Sequence, residues 1–507
     1  MVFSFFIRIF ADITSVNILE THHHRRTKKA KTMKRRIVTL LAVLCTLTAF
    51  AEKKEVHILS ANDMHAAIEA FPQLSAIADS LRALYPSLLV FSAGDNRTGN
   101  PLNDRYSIGG YPMVALMNQV GFDASTLGNH EFDSRQEGMA RLLSLANFRH
   151  ICANIVPDAK WGIHCVPYQI FDVEGVSVGV VGVVQLGPRG IPDSHPDNVS
   201  GISFLPVKET VQQYAWLREK CDVTILLTHI GYEDDVELSK DVPWVDLIIG
   251  GHTHTQLDGG ELHNGVLITQ NVNKLKKVTH TTLVVEDGHV VEKRAENIDV
   301  RSFSKTNPVV ADMVRTFSEN PDFFRQLTVA ETPFSNYEEL GCLMCDAFLA
   351  ETGADVAIQN TGGIRYETKA SGPFTVNDVL QLDPFDNELV EMTVTGAELR
   401  QMILSCGRND GYGFPRVAGI SYDVYYDKID SVRIRDVRLF GADGKKLNLK
   451  KSYRVVTNSY VASICDAPRK DQGRSMNRKT ADVIIEYLGK QPSISYQGVR
   501  RTHRLRK

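Results

Sequence analysis

Between residues 56 and 287 the chain alternates short apolar runs with polar or helix-patterned stretches; the runs are VHILS, LLVFSA, VSVGVVGVV, VTILLTHI, VDLIIGG, VLITQ and TTLVVED. A strand with one solvated face alternates apolar and polar residues, whereas near-continuous Val, Ile and Leu suits strands covered on both faces. The intervening PMVALMNQV and VKETVQQYAWLREK carry helical spacing and can provide that cover. A layered α/β domain over residues 52–300 is therefore expected. From 301 to 325 the strand pattern stops, and the polar NPVVADMVRTFSEN with its short helical pattern reads as a linker. A second, smaller α/β region, 326–507, follows with the strand candidates ADVAIQN, VEMTV, ISYDVYY and YRVVTN.

The start of the chain reads as targeting rather than fold. Lys34, Arg35 and Arg36 precede the apolar IVTLLAVLCTLTAFA, which ends on Ala49-Phe50-Ala51 before EKKE. This is the order of a secretory signal, and the apolar run is short for a membrane span of about 20 residues. Residues 33–51 are thus expected to be a signal peptide and residues 1–32, upstream of Met33, a mis-start. Export to the periplasm or cell envelope is implied, with no stable membrane span. Residues 1–51 hold nine of the 57 Lys and Arg and two of the 60 Asp and Glu, leaving 48 basic against 58 acidic residues, a net charge of −10. That balance offers no general attraction to nucleic acid.

Seven cysteines follow Ala51: Cys152, Cys165, Cys221, Cys342, Cys345, Cys406 and Cys465. Their scattered spacing in a long chain does not suggest a disulfide scaffold. The CLMC at 342–345 lies in an apolar helical run with no second CxxC downstream, so it reads as core packing.

In the first region metal-binding residue types cluster at the ends of apolar runs. VHILSANDMH ends in Asp63 and His65, LLVFSAGDN in Asp95 and Asn96, VTILLTH in His229, and VDLIIGGHTH in His252 and His254. LGNHEFD adds Asn129, His130, Glu131 and Asp133. Parallel strands open their C-terminal ends on one edge, so five separate segments converge on one crevice. Asp, Asn and His without cysteine suit Zn²⁺, Mn²⁺ or similar ions, and the ligand types are too many for one tetrahedral site. Two divalent ions are the economical reading.

The blocks NDMH, GDN, GNHE, THIG and GGHTH resemble, in order, the signature blocks of the calcineurin-like metallophosphoesterases over about 55–290. NTGGIR and DPFDN resemble the substrate domain of the secreted 5'-nucleotidases. The resemblance implies a four-layer α/β/β/α domain followed by a smaller substrate-binding domain. It assigns Asp63, His65 and His254 to one metal and Asn129, His229 and His252 to the other, with Asp95 bridging. His130 becomes the catalytic histidine and Asp133 its orienting partner; Glu131 receives no chemical role. The implied reaction is attack of a metal-bound hydroxide in line with the leaving group. Asn360 and Arg365 are placed at the nucleotide phosphate, Phe385 and Tyr460 at the two faces of the base, and Asn387 and Asp466 beside it.

This chain departs from the family pattern in its second region. An arginine expected before the helix at LGCLMCDAF is absent, with Asn336 near its position. Ile464 and Cys465 replace glycines before Asp466, Tyr460 replaces Phe, and NTGGIR replaces NGGGIR. The expected function is hydrolysis of nucleoside 5'-monophosphates to nucleoside and phosphate. The alternatives are a related esterase for UDP-sugars, 2',3'-cyclic nucleotides or another phosphoester, sulfate-ester or thiosulfate chemistry on the same scaffold, and a non-catalytic nucleotide-binding envelope protein. The oligomeric state is left open.

Overall fold

The structure is a computed structural model that describes residues 53–319, 321–409, 413–426 and 434–506. The expected signal peptide and mis-start lie outside the described residues. The apolar runs form two six-stranded sheets. In the first, Lys54–Ala61 pairs in parallel with Leu89–Ser92, followed by Ala124–Ser125 and Arg149–His150. Its other side is closed by the antiparallel hairpin Lys277–Glu286 and His289–Asp299. In the second, Val176–Val184, Val223–His229, Leu247–Ile249 and Val266–Thr269 run parallel, with Tyr168–Val173 and Glu261–His263 antiparallel at the edges. The sequence pattern did not mark the edge strands or His289–Asp299, whose burial alternates along a polar sequence.

The two sheets face each other across one core. Val56, Ile58, Leu89 and Phe91 of the first meet Val178, Val180, Ile225, Leu227 and Ile249 of the second. The opposite faces carry helices. Phe71–Leu84 and Tyr111–Val120 pack on Leu59 and Val90, while Val211, Leu238 and Val242 pack on Val181, Val183, Leu226 and Ile248. Both faces of each central strand are thus buried, as unbroken apolar runs require. The α/β/β/α order expected for this region is present. VKETVQQYAWLREK does not form one helix: it divides into Val207–Gln212 and the 3-10 turn Ala215–Glu219, which sets Leu217 fully into the outer core.

The stretch read as a linker contains the helix Pro308–Phe317. Asn307 caps it, accepting from Val309 N and Val310 N, and the helix docks Val310, Met313, Val314 and Phe317 onto the first region's helical layer. The second region is built on a five-stranded sheet in the order Arg416–Ala418, Val356–Gln359, Ser452–Asn458, Glu388–Thr395 and Arg474–Lys479. Successive residues of a strand face opposite ways. Ala357 and Val456 meet Tyr337–Thr352 and Thr480–Gly489, while Val356, Ile358 and Val455 meet Gly396–Asn409 and a three-stranded sheet carrying Tyr422 and Val437. Cys342 and Cys345 lie fully buried in the first of these cores, and no described cysteine forms a disulfide. Among the described residues no helix is long and apolar enough to cross a membrane.

Candidate active site

The strand ends of the first region open on one edge, and the polar residues that follow them meet there. Asp63 N donates to Gly94 O and His65 N to Asp95 O, both at 3.0 Å, tying the first two loops together. Asp63, His65, Asp95, His252 and His254 all take left-handed backbone, with φ of 48°, 43°, 51°, 81° and 56°. Side chains rarely adopt this region, and such residues concentrate at functional sites.

Asp95 stands between the donors. Its Oδ1 accepts from His130 N at 2.8 Å, while Oδ2 lies 3.2 Å from His229 Nε2, 3.9 Å from His130 Nε2 and 4.0 Å from His65 Nε2. His254 Nε2 is 3.2 Å from His65 Nε2 and 3.3 Å from Asp63 Oδ1. His252 Nδ1 is 3.1 Å from Asn129 Oδ1. Ligand atoms gather within 4.8 Å in three sets: Asp63, His65 and His254; Asp63, Asp95 and His229; and His65, Asp95 and His130.

The donor chemistry suits divalent cations. His229 Nδ1 is tied to Ala93 O at 2.7 Å, which turns Nε2 toward Asp95, yet the buried Nε2 makes no hydrogen bond. A cation between imidazole and carboxylate satisfies both. Left to protons alone, the cluster charges itself by the same attraction. Burial opposes ionisation of Asp95, but His229 and His130 hold its carboxyl well below the usual range. Burial likewise opposes charge on His229, but Asp95 and Asp63 push it up to about 10. Burial and the nearby His229 bring His252 down to about 4, and burial and Arg365 put His65 well below its usual value.

His130 is set apart by its second partner. Its Nδ1 meets Asp133 Oδ2 at 2.7 Å, which fixes the ring and leaves Nε2 facing Asp95. Burial alone lowers its basicity, and Asp95 and Asp133 together raise it above the ordinary value. Glu131, given no chemical role from sequence, is a buried clamp. It accepts from Asp95 N at 2.9 Å, Asn96 N at 2.9 Å and Gly128 N at 2.6 Å, joining the two loops that carry Asp95 and His130. Burial and the nearby Asp95 push its carboxyl above the usual pKa, against which the backbone donors at Gly128 and Asn96 act.

Across from these residues lies the second region. Arg365 Nη2 is 3.3 Å from His65 Nε2, and its guanidinium sits 5.4 Å above the Phe385 ring. Phe385 in turn stacks on His130, with ring centroids 5.7 Å apart and 20° between planes. An open cavity is lined by Asn129, His130 and Asp133 on one side and Asn360, Arg365, Phe385, Asn387 and Tyr460 on the other. Asp193, Ser194, His195 and Asn198 also line it. Sequence reading missed these four, although they follow the C-terminal end of Val176–Val184, the position that singled out the other residues.

Asn360 Oδ1 accepts from Asn458 Nδ2 at 2.9 Å, and Asn387 Oδ1 accepts from Ser459 Oγ at 2.9 Å. Asp466 does not line the cavity: its Oδ1 accepts from Ser405 Oγ at 2.5 Å and its N donates back to the same hydroxyl at 3.0 Å. Asn336 caps the helix Tyr337–Thr352, accepting from Glu338 N and Glu339 N at 3.0 and 3.1 Å.

Residues 56–256 match the calcineurin-like phosphoesterase family and residues 314–468 the 5'-nucleotidase C-terminal domain, together well over half of the chain. The trifunctional nucleotide phosphoesterase YfkN of Bacillus subtilis is 27% identical over 81% of this chain, an alignment that spans 32% of that longer protein. A 5'-nucleotidase of Vibrio cholerae is 27% identical over 74% of this chain and 77% of its own length. The crystal structure of a 5'-nucleotidase precursor from Thermus thermophilus superposes with a TM-score of 0.79 at 23% identity, covering 89% of this chain and 99% of that one. A Thermus thermophilus sulfate thiohydrolase, SoxB, shares the fold with a TM-score of 0.72 at 20% identity over 86% of this chain and 83% of its own. With both characteristic halves matched in order, the chain belongs to the calcineurin-like phosphoesterases that carry a 5'-nucleotidase C-terminal domain, a family of hydrolases.

Proposed function

We propose that the chain is an exported, two-metal phosphohydrolase that releases phosphate from nucleoside 5'-monophosphates. The observation that carries this reading is the shared cavity, in which the Asp95–His130 cluster faces Arg365, Phe385 and Tyr460. Export rests on the signal-like pattern of residues 33–51. Asp63, His65 and His254 would hold one divalent ion and Asn129, His229 and His252 the other, with Asp95 shared; Zn²⁺ or Mn²⁺ suits these donors. When bound, such ions neutralise phosphoryl charge and make water more acidic.

The chain's own residues supply the rest. Arg365 and the amide of Asn360 orient the phosphate, the guanidinium by forked hydrogen bonds to its oxygens. In this reading His130 would present a proton on Nε2, with its ring oriented by Asp133 at Nδ1. That proton stabilises charge on a phosphoryl oxygen and can pass to the departing 5'-oxygen. Phe385 and Tyr460 take the two faces of the base, a mode that tolerates any base. Asn387, braced by Ser459, supplies an amide at its edge. Asp466, bound to Ser405, supports the Tyr460 segment from behind.

A second reading, preference for another phosphoester, is favoured by Asn336. Its side chain is occupied as a helix cap where the family pattern expects an arginine, so that cation is missing at this position. Phosphate release from a panel of nucleoside monophosphates, a UDP-sugar, a 2',3'-cyclic nucleotide and a small aryl phosphate decides between them. The primary reading expects chelator-sensitive activity, restored by Mn²⁺ or Zn²⁺ and greatest with 5'-monophosphates. Preference for the small ester over every nucleotide would refute it.

A further inference from the structure

Two cysteines meet behind the Tyr460 wall of the cavity. Cys406 is wholly buried in the helix Gly396–Asn409, and Cys465, 8% exposed, follows directly on the helix Ser459–Ile464 that carries Tyr460. Their sequence neighbours fix the approach. Ser405 Oγ donates to Asp466 Oδ1 at 2.5 Å and accepts from Asp466 N at 3.0 Å, so residues 405–406 and 465–466 form a closed double contact. Both side chains lie in the same core cluster, one on each side of the Ser405–Asp466 contact.

We propose that Cys406 and Cys465 form a reversible disulfide that locks the Tyr460 helix to its neighbour and so sets how tightly the nucleotide is held. The Ser405–Asp466 contact already joins the two flanking segments, so an S–S bond of about 2.05 Å asks for adjustment of the Cys406 and Cys465 side chains. The two thiols also differ in reactivity, as an attacking and a resolving cysteine must. The Cys406 thiol and the positive Arg469 bring Cys465 down to about 6 against burial, the direction that favours a reactive thiolate. Burial pushes Cys152 and Cys342 up to about 12 and raises Cys165, Cys221 and Cys345. Among the described cysteines with a resolved shift, Cys465 alone moves toward the thiolate.

The oxidant is a low-molecular-weight or protein disulfide. The Cys465 thiolate attacks one of its sulfurs, forming a mixed disulfide and expelling one thiolate. Cys406 then loses its proton and attacks Cys465 Sγ, expelling the second. Two protein thiols are oxidised, one external disulfide is reduced, and the two protons end on the departing thiols. The product ties Gly396–Asn409 to the segment that presents Tyr460 to the cavity, and Ser459 of that segment also braces Asn387. Pre-ordering that wall lowers the cost of holding a base.

Full-length protein equilibrated in glutathione buffers of graded ratio, quenched with acid and alkylated, tests the bond by peptide mass mapping. The expected result is a cross-linked peptide pair containing Cys406 and Cys465 that appears as the buffer becomes oxidising. Cys406→Ser should abolish it and leave glutathione on Cys465. Both cysteines remaining alkylatable after prolonged exposure to oxidised glutathione would overturn the proposal, as would bonding of either to another cysteine. The kinetic arm rests on the nucleotide reading: KM for a nucleotide should fall about two- to tenfold on oxidation, the range for ordering one side chain, with the small aryl phosphate unchanged. A cross-link that leaves the nucleotide KM unaltered would reject the control of binding. Mass mapping is independent of activity and so separates failure of the bond from failure of the nucleotide assignment.

Discussion

Asp95 and His130 lie 3.9 Å apart and answer different experiments. Asp95 stands among the donors on both sides of the cluster, so Asp95→Ala should reduce bound metal itself. In the proposed reading His130, held by Asp133, serves the substrate and not the metal, so His130→Ala should keep its metal and fold while kcat drops by orders of magnitude. Metal analysis of both purified variants checks this, and equal loss of metal in the two would mean that His130 is a ligand. A second residue gives a pH signature. Asp235 is fully buried, neither carboxylate oxygen has a hydrogen-bond partner among the described residues, and burial pushes the group up to about 8. The fold therefore favours its neutral form. This contribution is complete below about pH 4, the unfolded value, and is lost as pH rises through about 8. Asp235→Asn keeps the shape without the titration, so between pH 5 and 8 wild type should lose more stability than the variant, by at least ~1 kcal/mol in denaturant melts. Parallel curves would show that Asp235 finds compensation in solution. Residue types made the ligand candidates legible in the sequence. Glu131 was not, because its role exists only once two loops bring three N–H groups to one carboxylate.

At the scale of elements, the strands with unbroken apolar sequences were legible, since burial on both faces leaves that mark. Candidate ligand positions followed from them, because parallel strands deliver their ends to one edge. Polar edge strands such as His289–Asp299 leave no such mark, and close approaches leave little. Gly128 shows why: a Cβ there would lie 2.1 Å from Asp95 Oδ1, so the GNHE turn can reach the carboxylate only with glycine. The DPFDN turn carries the matching prediction from the second region. Phe385→Ala should lower kcat/KM for a nucleotide by about 1 to 3 kcal/mol, the range for losing one base stack. Because Phe385 also stacks on His130, the small aryl phosphate is the control and should barely change. Equal loss with both substrates, measured side by side, would make Phe385 a packing residue for His130.

At the scale of the whole molecule, neither region alone contains the cavity. A fragment lacking the second region should bind metal and cleave the small ester slowly, with no preference for nucleotides. Where that fragment ends matters. The stretch read from sequence as a linker contains Pro308–Phe317, which inserts fully buried Val310 into the first region's core and sets Phe317 against Tyr106 with centroids 5.5 Å apart. A helix anchored through only a few apolar residues is hard to tell from a linker in sequence, because its partners lie more than 200 residues earlier. Residues 54–319 should therefore melt several degrees above residues 54–300, since each large side chain returned to water costs about 1.5–3 kcal/mol. Identical melting temperatures in calorimetry would show that the helix belongs energetically to the second region.

The left-handed backbone at Asp63, His65, Asp95, His252 and His254 bears on how such a centre can change over time. Each strained residue costs the fold on the order of 1 kcal/mol, and glycine would relieve that cost while removing the candidate ligand. Selection for robustness alone would thus erode the centre, and only selection for activity maintains it. Drift after loss of function should begin at these turns, with glycine or asparagine replacing histidine while the surrounding strands stay recognisable. The centre is also poor material for stabilising consensus design, which would improve the scaffold at the expense of the chemistry.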